Sequence, residues 1–209
     1  MDLLTRRLQA ARRQGKARLW LACFIALTGT AGVAQFLSSQ ASLPRSGTGG
    51  ISLEYQVKAA YLLNFTRYVE WPTQAFEAPG APVTICVLGS DPFGSVLDAT
   101  VLGRTTQGRS VGVKRIRTNA ETTGCHLVFV SRETWRNRRD LPRTLHSLGL
   151  LTVGESGEFA QEGGVIGFVI QNETVRFVVN AEARDRAGLR ISSRMLSLAA
   201  AVYGQKTGS

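Results

Sequence analysis

The sequence predicts a single α/β domain, in which a mainly parallel sheet has helices on both faces and an antiparallel hairpin at one edge. Three observations lead to this class. Strand patterns alternate with helical patterns, which is typical of parallel strands joined by crossover helices. The first strand pattern is continuously apolar, as expected of a strand covered on both faces. Two later strand patterns are separated by only three residues, which predicts a hairpin.

An amphipathic helix is predicted over residues 53–71. Apolar side chains recur there at helical spacing: Val57, Tyr61, Phe65 and Tyr68. We expect this face to pack against the sheet. Pro72 should end the helix, because the residue before a proline disfavours helical geometry.

Strands and helices then alternate. Residues 83–88, VTICVL, predict a buried strand, and the following Gly89-Ser90-Asp91-Pro92 predicts a helix start with a capping side chain before a first-turn proline. Further strands are predicted at residues 110–116, 127–130 and 149–153. Before the last of these a helix should restart at Asp140, because Pro142 cannot lie deep inside a helix.

The hairpin is predicted from residues 165–170 and 174–179, with a loop at Gln171-Asn172-Glu173. A short helical turn is expected after Asn180. A last helix should begin at Ser192 or Ser193, since either side chain can cap it. Its apolar residues are Met195, Leu196, Ala199, Val202 and Tyr203. The domain is thus expected to span residues 53–204, followed by a disordered tail over 205–209.

The first 41 residues predict an export signal. Six basic side chains and one acid precede an apolar run over residues 19–37, and Ser39-Gln40-Ala41 then offers small residues for cleavage. Cleavage after Ala41 would make residues 1–41 a signal peptide, and Gly32-Val33-Ala34 offers an earlier alternative site. The same run is long enough to act as an uncleaved single-pass anchor in the inner membrane. Both alternatives place the domain in the periplasm. Residues 42–52, with three glycines, predict a flexible linker.

The net charge of +10 does not indicate a nucleic-acid partner, because half of it belongs to the leader. A nucleic-acid site needs a clustered basic face with stacking aromatics. The nearest candidate is a run of arginines, for which we favour a solvated helix face: Arg132, Arg136, Arg138, Arg139 and Arg143.

No catalytic, metal or cofactor site is predicted, so we expect a protein that is not an enzyme. The two histidines, His126 and His146, are too few and too scattered to form a zinc site with the other ligands. Cys125 and His126 are neighbours at the start of a predicted strand, where adjacent side chains point to opposite faces, so they cannot form a nucleophile and its base. The glycines match neither a phosphate loop nor a dinucleotide fingerprint.

The cysteines predict a disulfide. Of the three in the chain, Cys23 lies in the leader, which leaves Cys86 and Cys125. An even number of cysteines in an oxidising compartment favours a bridge. Closing a loop of about forty residues would contribute roughly 4 kcal/mol on the chain-entropy model. Two buried thiols are the alternative.

A series of motifs in a fixed order spans residues 53–203. They are EYQVKAAYLLNF (54–65), YVEWP (68–72), ICVLG (85–89), DPF (91–93), CHLVF (125–129), LTVG (151–154), FA (159–160), GGVI (163–166), VRFVVN (175–180), GL (188–189) and ISSRML (191–196). In this order and spacing the chain resembles the YfiR family.

The resemblance implies a periplasmic regulator. Such proteins bind the periplasmic sensory part of a membrane-anchored diguanylate cyclase, inhibit it, and so lower cyclic di-GMP and biofilm formation. The resemblance also implies a homodimer, and Cys86 and Cys125 match the family's long-range cysteine pair. Some members carry a second, short-range pair near Ala160 and Gly167, where this chain has no cysteine. This difference puts in question a redox switch built on that second bridge.

Two hypotheses about the contact residues follow. For a partner surface we select Phe168, Ile170 and Met195, because exposed apolar patches mark interaction sites; core packing is the alternative for each.

The other hypothesis is that the domain senses a small ligand or the redox state. A ligand would then bind at the carboxyl ends of the parallel strands, next to Gly89, Ser90 and Asp91. An ordinary strand-to-helix turn is the alternative for these three residues.

Overall fold

The computed structural model describes residues 52–204. The predicted leader over 1–41, the linker over 42–52 except its last residue, and the tail over 205–209 lie outside this range. The helices within it are α1 (Leu53–Tyr68), α2 (Ser95–Val101), α3 (Arg132–Asn137), α4 (Leu141–His146), α5 (Gly157–Gln161), α6 (Ala181–Arg186) and α7 (Ser193–Leu196). The strands are β1 (Val69–Glu70), β2 (Val83–Leu88), β3 (Thr105–Thr106), β4 (Arg109–Ile116), β5 (Leu127–Val130), β6 (Leu151–Gly154), β7 (Ile166–Gln171), β8 (Thr174–Asn180), β9 (Arg190–Ile191) and β10 (Ala201–Tyr203).

Eight strands form the main sheet, in the order β10-β8-β7-β6-β5-β2-β4-β3. The five central strands from β7 to β4 run parallel, whereas β7 with β8 and β3 with β4 pair antiparallel. β1 and β9 form a separate two-stranded pair. The predicted α/β class, with a mainly parallel sheet and an antiparallel hairpin, is confirmed.

The sheet has a separate core on each face. Along β2, Ile85 and Val87 belong to the core shared with α1 and α2, whereas Cys86 and Leu88 belong to the core shared with α3, α4 and α5. This alternation follows from the two-residue period of a strand, whose successive side chains point to opposite faces. A continuously apolar strand such as VTICVL therefore serves both cores.

The aromatic face predicted for α1 is only partly buried. Val57, Tyr61 and Tyr68 are half-buried, while Lys58 and Leu62 are enclosed. Rings from α1 and the hairpin meet in this core, for example Phe65 and Phe177 with centroids 5.1 Å apart. The helix thus packs on the sheet as predicted, with its buried stripe rotated toward Lys58.

Three predicted helix boundaries differ from the structure by three residues or more. The first helix ends at Tyr68, because residues 69–70 leave it to pair with β9. The second begins at Ser95 instead of beside Pro92, since Asp91 accepts a hydrogen bond from the amide of Phe93 in a turn before the helix. The last helix ends at Leu196, and Val202 and Tyr203 lie in β10, parallel to β8.

The hairpin turn is tighter than predicted. Its loop consists of Asn172 and Glu173 alone, with φ of 48° and 59°. Two successive left-handed residues are typical of the turn that matches the twist of a hairpin. The short β10 pairs with the outer side of β8, so the hairpin lies one strand in from the edge of the sheet.

One buried ring occupies the space that two glycines leave. Phe159 of α5 is fully enclosed and packs over Gly154 at the end of β6 and over Gly164 before β7. A Cβ atom at either glycine would overlap the Phe159 ring. The absence of side chains at these two positions therefore lets α5 approach the sheet.

Candidate functional site

The candidate site lies at the carboxyl ends of β2, β5 and β6. The chain passes from β2 to β4 on one side and then returns to β5 on the other side of β2. At such a reversal the outgoing loops separate and leave a crevice, which is where ligands bind in open α/β sheets. Residues 89–91, 131–132 and 155–156 follow these three strands.

A buried ion pair forms the floor of the site. Lys58 of α1 and Glu155, directly after β6, are 2% and 7% exposed, and their Nζ and Oε1 atoms are 2.8 Å apart. Lys58 also pairs with Glu54, one helical turn earlier on α1. Charges are rarely enclosed unless they are paired, so the end of α1 that holds Lys58 is tied to the end of the sheet.

Glu155 accepts hydrogen bonds from further groups. The backbone amide of Arg132 donates to its Oε2 atom over 2.8 Å, and the Arg132 guanidinium donates to the Glu155 carbonyl over 2.9 Å. Burial raises the pKa of the Glu155 carboxyl, but the bonds from Lys58 and the Arg132 amide outweigh it, so that the pKa lies below its ordinary value. Glu155 is therefore ionised at neutral pH.

Tyr55 is positioned by the same carboxylate. Burial, together with its hydrogen bond to Glu155, raises the pKa of the Tyr55 phenol well above its ordinary value. Its ring contacts Phe93 edge to face with centroids 5.6 Å apart, and the Lys58 ammonium lies 4.6 Å from its centroid. The Tyr55 hydroxyl therefore stays protonated at neutral pH, and its ring packs against Phe93 and Lys58.

Two clefts open on either side of the contact between Arg132 and Glu155, which line both. The hairpin-side cleft has a volume of about 260 Å³ and is bounded by α1 and by residues 168–170 of β7. The α3-side cleft has a volume of about 340 Å³. Its other lining residues are Tyr55, Ser90, Pro92, Ser131, Glu133, Arg136 and Asn137.

The whole domain matches one known family. The model of the YfiR/HmsC-like family matches residues 55–200. The chain belongs to the YfiR/HmsC-like family.

Two solved structures are similar to this YfiR/HmsC-like chain at low identity. One is the ABC domain of a Streptococcus pneumonia protein in complex with L-Trp, at 14% identity and a TM-score of 0.49 over 69% of this chain. The other is a conserved domain protein from Vibrio cholerae, at 9% identity and a TM-score of 0.46 over 71% of this chain. The match spans 60% of the length of each.

The three residues predicted next to a ligand have different surroundings in this YfiR/HmsC-like domain. Ser90 lines the α3-side cleft. Asp91 instead pairs with Arg115 over 3.0 Å. Gly89, at φ +79°, lies directly against the side chain of Thr134. Of the three, only Ser90 faces the cleft.

The predicted partner surface is corrected at two of its three positions. Phe168 and Met195 are 1% and 2% exposed, so the premise that they form an exposed apolar patch is wrong. Both belong to the core beneath α1, because Phe168 points inward from β7 and Met195 points inward from α7. Ile170, two residues beyond Phe168 on β7, is 55% exposed and lines the hairpin-side cleft.

Cys86 and Cys125 are joined by a disulfide, with their Cα atoms 5.8 Å apart. The neighbouring His126 lies on the other side of the sheet, 4.5 Å from the ring of Phe76, and its Nδ1 accepts from the amide of Thr84. Burial lowers the pKa of His126. The disulfide and His126 thus lie on opposite faces of the sheet, although Cys125 and His126 both precede β5.

Residues 52–204 contain seven α-helices. No helix in this range is long and apolar enough to cross a membrane. Nor does the range hold a group of three or more potential metal-binding side chains. The predicted basic face of α3 and α4 is exposed, and two of its arginines pair with acids, Arg138 with Asp140 and Arg139 with Glu162.

The buried Lys58–Glu155 pair and most of the cleft residues were not predicted from the sequence. A signal for Lys58 was present, because it follows Tyr55 by three residues and precedes Leu62 by four, on the buried stripe of the helix. Glu155 is the first residue after the apolar strand β6, and Ser90 is the second residue after β2. Both positions lie at the carboxyl end of a strand. No local signal pairs residues 97 positions apart.

Proposed function

We propose that the protein is a periplasmic, non-enzymatic regulator that binds the periplasmic sensory part of a membrane-anchored diguanylate cyclase and inhibits it. The observation that carries this proposal is the YfiR/HmsC-like match over residues 55–200, which includes nearly all of the described domain. This is a regulatory family, and inhibition would lower cyclic di-GMP and biofilm formation.

The surface chemistry supports binding to another protein. Ile170 projects near the free end of the hairpin, on the sheet face that carries α1. Large exposed apolar patches mark interaction sites, and Ile170 is a large exposed apolar side chain next to the cleft at this end of the hairpin. We assign Ile170 to the cyclase contact, and we propose that the inhibitor acts as a homodimer.

The disulfide supports a periplasmic location. Disulfides persist in oxidising compartments such as the bacterial periplasm and are rare in the cytosol. The Cys86–Cys125 bridge is buried, so we propose that it is structural, which leaves cyclase inhibition independent of its reduction except through stability.

Intracellular cyclic di-GMP in a deletion strain tests the proposal. Deletion should raise the level and the wild-type gene should restore it. Ile170→Asp should fail to restore it, whereas Leu148→Asp should succeed, because Leu148 is similarly exposed at 53% but follows α4 on the other face. Immunoblots must show equal amounts of both variants.

The outcomes separate the two parts of the proposal. No change in cyclic di-GMP on deletion would contradict cyclase inhibition. Full restoration by Ile170→Asp would contradict the contact assigned to the hairpin while leaving the regulator function in place. Capture of the cyclase by the wild-type protein from solubilised membranes, lost with Ile170→Asp, would establish direct binding.

A further inference from the structure

One edge of the main sheet is open and carries no charge. β10 is the last strand in the order, and no strand of residues 52–204 lies beyond it. Residues 197–204, SLAAAVYG, include no acidic or basic side chain. All three residues of β10 are only half-buried, and the preceding Leu198 is 57% exposed. Native sheets usually protect such an edge with charges, proline or a bulge, because its free amides and carbonyls can pair with another strand.

The opposite end of the sheet is protected by charge. β3 pairs only with Arg109 and Ser110, the first two residues of β4. The part of β4 that β3 leaves uncovered carries Lys114 and Arg115, both exposed. A two-fold axis brings the same surface of two copies together, so a cationic edge would repel its own copy. The uncharged β10 has no such penalty, and it is therefore the edge that can pair with a second copy of this chain.

The main chain of Val202 faces the open side of β10. On β8, the amide of Asn180 donates to the carbonyl directly before β7, so Asn180 faces β7 and the preceding Val179 faces β10. Val179 lies between the partners of Ala201 and Tyr203 in the parallel register. These two residues of β10 therefore bond to β8, and the amide and carbonyl of Val202 point outward.

We propose that β10 pairs antiparallel with β10 of a second copy across a two-fold axis, which joins the two main sheets into one. Val202 then lies opposite Val202 of the second copy, and their main-chain groups exchange a pair of hydrogen bonds. Ala201 lies opposite Tyr203 of the second copy, so that a small side chain faces a large one. This inference rests on the homodimer proposed above and identifies its interface.

The pairing should be weak and reversible. β10 has three residues, so the interface is smaller than the roughly 1,600 Å² of a standard stable complex. We expect a dissociation constant on the order of 10 μM. Sedimentation velocity of the purified protein should accordingly show a monomer that converts to a dimer as its concentration is raised to about 200 μM.

Val202→Pro tests the role of the outward amide. The substitution removes a donor that β10 does not use toward β8, and edge strands tolerate proline at such positions. The dissociation constant of the dimer should rise about tenfold or more, because both symmetric hydrogen bonds are lost together. Thermal unfolding must show that the variant is folded.

Val113→Pro is the matched control. Val113 is also a half-buried valine beside the α1 core, in the uncovered part of β4. Its amide faces outward as well, because that of Val111, two residues earlier, donates to the Arg104 carbonyl beside β3. This variant should dimerise as the wild type does.

Val202→Cys tests the register without relying on the proline variant. Residues paired in this way have Cα atoms about 5.5 Å apart, within the range of a disulfide. In a Cys23→Ser background the introduced thiol has no other free cysteine to react with, because Cys86 and Cys125 are bridged. Mild oxidation should cross-link Val202→Cys into a covalent dimer and leave Val113→Cys a monomer on a denaturing gel.

The outcomes separate the interface from the proposed function. A wild type that remains a monomer at about 200 μM overturns both the β10 interface and the homodimer, but not cyclase inhibition, which the deletion strain tests. A dimer that survives Val202→Pro and forms no cross-link through Val202→Cys overturns the β10 interface alone. Cross-linking through Val113→Cys instead would also overturn it. If Val202→Pro does not fold, the cross-link decides.

Discussion

Lys58 and Glu155 form an ion pair across 97 residues of sequence, and both side chains are almost completely enclosed. A buried pair of this kind gains little net stability over apolar residues, because both charges lose their hydration. Removing one partner is costly, since the other is left charged and unpaired. The pair therefore contributes little net stability, and its main effect is to fix the position of α1 on the sheet.

Lys58→Met should lower the free energy of unfolding by about 3 kcal/mol, because Glu155 then loses its buried counter-charge. Adding Glu155→Gln should recover at least half of that loss, since the neutral amide can still accept from the Arg132 backbone. Urea denaturation measures both values. Lys114→Met is the control, because Lys114 is exposed and should change stability by no more than about 1 kcal/mol. Equal losses in the single and double variants would contradict a charge-based cause.

The Cys86–Cys125 bridge should stabilise the domain by constraining the unfolded chain. Replacing both residues with alanine should cost about 4 kcal/mol for a loop that closes over 39 residues. A reducing agent should lower the thermal midpoint of the wild type to that of the double variant and leave the variant unchanged. A wild-type midpoint that reduction does not alter would show that the bridge contributes nothing.

Stability should decrease with acid below about pH 6.5 because of His126. Its pKa is lower in the folded protein than the ordinary value of 6.5, so the unfolded chain binds the proton first as the pH falls. The full stability is present above pH 6.5 and is lost progressively below it, until the folded-state pKa is reached. Unfolding midpoints from pH 7.5 to 5 measure this slope.

His126→Gln should reduce the dependence of the unfolding midpoint on pH. His146→Gln, which replaces the other histidine of the chain, is the control. An NMR titration of the His126 ring in the wild type gives its folded pKa directly. The explanation fails if His126→Gln retains the wild-type slope, or if the ring titrates at or above pH 6.5.

Glu173→Gly should stabilise the hairpin by about 0.5–1 kcal/mol. Glu173 has φ of 59°, a left-handed conformation that glycine adopts without steric cost. The neighbouring Thr174 lies in β8, where glycine should instead reduce stability. Thermal unfolding of Glu173→Gly and Thr174→Gly compares the two positions, and a loss at both would rule out strain at Glu173.

Gly164→Ala should destabilise the domain by about 1–3 kcal/mol, the typical cost of overpacking. The added methyl would overlap the Phe159 ring. Gly188→Ala is the control for a glycine with open space around it, although its φ of +66° adds backbone strain. Combining Gly164→Ala with Phe159→Leu should cost less than the sum of the two single losses, and simple additivity would argue against direct contact.

The sequence predicts correctly those strands and turns whose residue pattern is typical of a single kind of element. The strands VTICVL and LVFV have the predicted bounds, because a short apolar run rich in β-branched and aromatic residues is typical of a strand covered on both faces. The hairpin follows from two such runs joined by turn residues. In the site, proximity of Ser90 to the cleft could be predicted, since the loops at the strand ends separate and leave a crevice where the chain order reverses.

The remaining elements depend on contacts distant in sequence. Val202 and Tyr203 continue the helical spacing begun at Met195, yet pairing with β8 recruits them into a strand. Val69 leaves the first helix for a similar reason, a pairing with Ile191. Apolar side chains such as Phe168 and Met195 occur both in exposed patches and in cores. Only the tertiary packing shows that these two are buried.

The packing of Phe159 between Gly154 and Gly164 has a consequence for how this domain can diverge. A larger residue at Gly154 is tolerated only after the Phe159 ring has been replaced by something smaller, and at Gly164 it must also displace the Phe159 backbone carbonyl. A smaller residue at 159 leaves a void unless a glycine position gains atoms. Substitutions at the three sites are thus constrained in their order. Among distant relatives, the three positions should covary, with a bulky ring present only where both neighbours have no side chain.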